Sequence, residues 1–186
     1  MSQIPDEKII EKLFERISAD LGMIIDHELE FEEVATERVT TRLAGEGQIH
    51  ISFKVVFDAG GEQRYGCFLV PLPEAISMAG YLMMAPDDEV EMSREQTELD
   101  STTKDAMLEV SNFVGGAVDA IVRELCPEDH SARSAGCQGV RADVRPAFPY
   151  TEGEELVLGR AKARLNEFPE FDVLLMIPPV TADLAA

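Results

Sequence analysis

Residues 101–125 constrain the fold more than any other stretch. The run carries no proline. At 100° per residue, Ala106, Met107, Val110, Phe113, Val114, Ala117, Val118, Ile121 and Leu125 fall within about 80° to 220° of Asp105. The spacing predicts one long helix, ending before Pro127 because the residue preceding a proline is pushed out of the helical region. One side of that helix is buried. Asp105, Glu109, Asn112, Gly116, Asp119 and Arg123 gather within about 40° of the opposite pole and make a narrow polar ridge.

The ridge has a plain account and a functional one. Asp105 could complement the helix dipole or work with Thr102 as an N-terminal cap, and Glu109 could be solvated surface. Asn112 and Gly116 resist that account. Each weakens a helix relative to alanine, and neither improves packing from the wet side. Asn112 is one of only two asparagines in the chain, and Gly116 removes all bulk beside its amide, so another backbone can approach closely.

The rest of the pattern supplies what the buried side packs on. Ile10, Leu13, Phe14, Ile17 and Leu21 recur at helical spacing, predicting a first helix over about 5–22 with Pro5 at its first position. Ile49, Ile51, Phe53, Val55 and Phe57 alternate with polar residues. Gly60 and Gly61 then turn the chain into "RYGCFLVPL", so 48–71 reads as a hairpin. Part of 29–43 reads as an earlier strand. Pro73 opens a second helix, apolar nearly all round, whose methionines are core filler. Seven acids against one arginine between Asp87 and Asp100 read as a solvated acidic loop over 86–100. Residues 127–138 read as loop, 140–145 as a half-buried strand, and 155–165 and 171–179 as two more. Arg160, Lys162 and Arg164 alternate with Gly159, Ala161, Ala163 and Leu165, giving one wet and one packed face. This order implies an α+β domain with a mainly antiparallel sheet and long helices on one or two of its faces. One domain spans 1–186, with a C-terminal tail from 180 to 186.

Composition sets the boundaries. A length of 186 residues, 45% of them hydrophobic, suits a single globular domain that folds without staples. Neither a membrane-spanning run nor a signal-peptide layout is present, and three cysteines do not make a disulfide framework, so the expected compartment is the cytoplasm. The formal charge of −20 disfavours nucleic acid and anionic membranes. It is compatible equally with solubility alone and with a basic protein surface as partner. Cys126, His130 and Cys137 lack a fourth ligand or a CxxC pair, so no metal site is expected. No GxSxG, P-loop, GxGxxG or HExxH pattern occurs.

The spacing Asp105-x-x-x-Glu109-x-x-Asn112, followed by Gly116, resembles the signature of the CheC/CheX/FliY class of chemotaxis phosphatases. The similarity extends to the strand entering "LVPLPEAISMAGYLM" and to the acidic segment before the signature helix. It covers roughly residues 5–180, and its specific part is about 65–125. The resemblance implies a CheC/CheX-like fold and a phosphatase for the aspartyl-phosphate of a CheY-like response regulator. Asn112 would orient the attacking water, and Glu109 would pair with the regulator's lysine. Asp105, Gly116 and Asp119 would contact the partner, with Mg²⁺ brought by the regulator and no cofactor of the chain's own. Asn166 has Ala163 three residues earlier, and Glu15-x-x-Ser18 reads either as a decayed equivalent of the signature or, the favoured reading, as plain helix surface. A single late site of this kind resembles the CheX branch, whose members pair as homodimers. The chain departs from the class signature downstream, where Ala135 stands in the region of its usual proline. The alternative reading is a non-catalytic binding module of the same fold, in a flagellar switch or signalling array.

Overall fold

A computed structural model of the chain describes residues 4–180. Its elements are α1 (Asp6–Ile25), β1 (Leu29–Val39), β2 (His50–Ala59), β3 (Glu62–Pro71), α2 (Leu72–Leu82), α3 (Asp87–Ser93), α4 (Ser101–Leu125), β4 (His130–Val140), β5 (Leu156–Leu165) and β6 (Phe171–Ile177). The six strands form one sheet in the order β1-β5-β6-β3-β2-β4, antiparallel throughout. The α+β class and its antiparallel sheet follow the sequence expectation.

The order hides an approximate internal two-fold. Each half runs helix, edge strand, hairpin: α1-β1-β2-β3 and α4-β4-β5-β6. Each edge strand pairs with the other half's hairpin, β1 on β5 and β4 on β2. The halves meet where Cys67, Phe68 and Leu69 face Met176, Leu175 and Leu174.

The main core lies between the helices and one face of the sheet. Alternation selects that face: Ile51, Phe53, Val55 and Phe57 of β2, with Phe68 and Val70 of β3, meet Ile10, Leu13, Phe14 and Ile17 of α1. Val110, Val114 and Val118 of α4 complete it. A smaller cluster of Cys67, Phe148, Leu156, Leu158 and Met176 lies on the sheet's other face. Arg42 holds the covering segment there, donating to Pro146 O (3.0 Å) and Glu152 (3.2 Å) while lying over the Phe148 and Tyr150 rings. Burial pushes the Cys67 thiol up to about 12. No helix among the described residues is long and apolar enough to cross a membrane.

Several sequence expectations need correction. Residues 127–138 are not a loop, since His130–Val140 is edge strand β4. The alternation over 140–145 forms no strand beyond Val140, and Val144 is exposed. The acidic segment over 86–100 contains α3, whose Val90 is buried against Gly80 of α2. It is also pinned. The Arg94 guanidinium donates twice to buried Glu74 (2.6 and 2.7 Å) and once to Ser77 (2.8 Å), and lies over the Phe168 ring at 4.0 Å. Tyr81 donates to Asp87 at 2.9 Å. Pro5 is the N-cap of α1 rather than its first residue. Residues 181–186 of the expected tail lie outside the described residues.

Candidate functional site

Helix α4 spans the predicted Ser101–Leu125. Its cap is neither Asp105 nor Thr102. Asp100 Oδ1 accepts from Thr103 N at 2.8 Å, a bond that holds the Asp100 carboxyl below its usual range. That leaves Asp105 free on the exposed side. The buried arc runs from Ala106 and Met107 through Val114 to Ile121 and Val122, and it is wider than the apolar pattern because it includes Ser111 and Gly115.

Those two small residues let α4 lie close to β4. A Cβ on Gly115 would stand 2.3 Å from Ser134 N, which no real side chain tolerates. Ser111 Oγ is hydrogen-bonded to Ser134 Oγ (2.8 Å) and donates to Gly136 O (3.0 Å), so a buried hydroxyl stitches helix to strand. Neither residue was singled out in the sequence, although small residues four apart on one helix face are a recognisable close-packing signal. Gly136 sits at φ 87, a left-handed position that suits glycine, where the β4–β2 register shifts between Phe53 and Val55.

The opposite side of α4 presents Asp105, Glu109, Asn112 and Gly116 to solvent, one helical turn after another. Among the described residues, the side chains of Asp105, Glu109 and Asn112 make no hydrogen bond or ion pair. Nothing lies within 4 Å of where a Gly116 Cβ would sit, so the helix backbone is bare beside the amide. Asp119 behaves differently. Its Oδ1 accepts from Ala132 N (2.8 Å) and its Oδ2 from Arg123 Nε (2.8 Å), committing this half-buried carboxylate to the start of β4. Phe113, assigned to the buried arc from its angle, is 37% exposed, and Leu108 is 45% exposed. The ridge is therefore polar along its crest with an apolar side chain on each shoulder.

An exposed carboxylate and an exposed amide on a convex helix hold no small substrate by themselves. They can pair with a cation, orient a water, or enter a cleft supplied by another molecule. Among the described residues no group of three or more His, Cys, Asp or Glu could hold a metal ion.

No family model and no curated protein matches the sequence. Solved structures do match its shape. FliY from Thermotoga maritima superposes with a TM-score of 0.65 at 17% identity, over 99% of this chain and 94% of that one. The FliM middle domain from H. pylori gives 0.63 at 11% identity, over 94% and 90%. The chemotaxis protein CheX from Desulfovibrio desulfuricans gives 0.56 at 14% identity, over 90% and 97%. The fold of this chain is that of the CheC/CheX/FliY class.

Proposed function

We propose that the chain is a phosphatase that removes the phosphoryl group from the aspartyl-phosphate of a CheY-like response regulator. One observation carries the reading. Glu109 and Asn112 stand one turn apart on an exposed helix face, without partners, beside a bare glycine.

Hydrolysis of an acyl phosphate needs a water held in line with the leaving carboxylate and charge balanced around the transferring group. The Asn112 amide both donates and accepts, so it can fix a water's orientation without adding negative charge beside the phosphoryl group. Glu109 supplies a carboxylate for a cation on the regulator, which anchors the helix and sets the amide's depth in the cleft. A Mg²⁺ brought by the regulator would supply the charge that balances the phosphoryl oxygens. Positioning alone is worth a great deal, because a misplacement of about 1 Å can cost roughly 10²-fold in rate.

Phosphate release from phosphorylated CheY-type receivers, with and without the protein, tests the reading. The wild type accelerates release and Asn112→Ala loses roughly 10²-fold of that acceleration. No acceleration, or an undiminished rate in Asn112→Ala, sinks it. A second reading, a non-catalytic binding module, is favoured by the likeness to the FliM middle domain. It predicts capture of a partner protein with no change in the receiver's dephosphorylation rate.

A further inference from the structure

A groove of about 420 Å³ lies between the N-terminal half of α4 and the end of β4, its apolar lining including Ile49, Leu72, Leu99 and Leu108. Thr97 and Lys104 stand at its mouth, and Lys104 is the one cation among its lining residues. Leu108 immediately precedes Glu109, and Phe113 immediately follows Asn112. The other large apolar side chains exposed to this degree among the described residues are four methionines and Val144. A leucine and a phenylalanine bracketing the unpartnered pair are therefore unlike the rest of the surface. Glu98, Asp100, Asp105 and Glu109 follow one another along the segment that borders the groove, all exposed.

We infer that this groove and its two apolar shoulders dock an apolar side chain presented on a basic patch of the phosphorylated receiver, and so select which receiver is served. The inference rests on the phosphatase reading. The floor recognises the apolar group, and the acidic border favours cations around it and repels acidic surfaces. The groove reaches the pair's chain neighbour Leu108, so one docked side chain would fix the register of Asn112 in the receiver's cleft. Apolar anchors of this kind carry much of an interface's energy although they touch no reacting atom.

The test is steady-state dephosphorylation of a CheY-type receiver kept phosphorylated with acetyl phosphate and Mg²⁺. Leu108→Asp puts a charge on the shoulder, and Thr97→Arg obstructs the mouth from a different segment. Both raise KM by roughly tenfold and leave kcat within about twofold, whereas Asn112→Ala lowers kcat and keeps KM. Wild-type acceleration with an unchanged KM in both groove variants overturns the docking site and leaves the phosphatase reading standing. No acceleration by the wild type overturns both. Should Leu108→Asp melt early, Thr97→Arg decides, because its site is exposed and bears no core contact.

Discussion

Helices α1 and α4 head the two halves of the domain, and in each a polar side chain ties the helix near the start of the strand that follows. In α1, Ser18 Oγ donates to Leu29 O at the start of β1. In α4, Asp119 accepts from Ala132 N near the start of β4. Counting back from those anchors sets Lys8 and Glu11 against Glu109 and Asn112. All four are exposed, but their surroundings differ. The pairing on α1 falls on the next residues along, where Arg16 grips Asp20 at 2.9 Å and Lys12 reaches Glu124 of α4 at 2.5 Å. On α4 the stretch from Asp105 to Gly116 has no such pairing, although Asp119 and Arg123 pair beyond it, and Leu108 and Phe113 stand exposed beside it. The fold thus offers two equivalent ridges, and the proposed chemistry stands on one. Shape alone says nothing of function here, because the difference lies entirely in side chains.

The comparison breaks if the α1 ridge matters to the reaction. Glu109→Ala is expected to lose at least about tenfold in kcat/KM for a phosphorylated CheY-type receiver, by removing the cation partner. The double variant Lys8→Ala/Glu11→Ala is expected to stay within about twofold of the wild type, as solvated charges usually do. Comparable losses in the two proteins would mean that both ridges, or neither, meet the receiver.

Two adjacent glycines sharpen the contrast between the inner and outer sides of α4. Gly115→Ala forces a methyl onto the backbone of Ser134 and is expected to destabilise by about 1–3 kcal/mol, a drop of several degrees in thermal melting. Gly116→Ala meets nothing and improves helix propensity by up to about 1 kcal/mol, so the melting temperature rises. The same methyl stands beside Asn112, and the stabilised variant is expected to show a raised KM for the receiver. A Gly116→Ala protein that melts higher with unchanged kinetics would place the partner's approach elsewhere.

The glycine pair also explains what sequence reasoning could reach. The bounds of α4, the 50–71 hairpin and the alternation of β5 were legible because their apolar residues repeat at the period of the element. Strand β4 was not. Its inner residues must be small to admit α4 at close range, so Ser134 and Gly136 replace the valines that would have announced a strand. The spurious strand at 140–145 arose from the opposite error, an alternation of Val140, Ala142 and Val144 with no surface to cover. The charge of 86–100 masked α3, which one buried valine and the Arg94–Glu74 pair hold in place. The exposure of Glu109, Asn112 and Gly116 was legible because a polar group on a wet helix face needs no tertiary information. Phe113 sat at the edge of the apolar arc, where a small rotation of the helix decides between core and solvent. Asp119 shared the ridge's angle, but its partner, Ala132 N, belongs to the strand that was missed.

Asp119 therefore gives the finest discrimination. As a partner contact it would move KM when removed. The geometry instead makes it the α4 counterpart of Ser18, and Asp119→Ala is expected to leave the buried Ala132 N–H without its acceptor, at about 1 kcal/mol. Ser18→Ala is expected to cost a similar amount at β1. Asp119→Asn keeps an acceptor oxygen at Oδ1, so melting should recover toward the wild type while the Arg123 ion pair is lost. Denaturant or thermal melting of the three variants, with receiver KM measured on each, settles the assignment. A stability loss with unchanged KM makes Asp119 an anchor. A raised KM at wild-type stability would extend the functional ridge one turn past Gly116 and end the equivalence with Ser18.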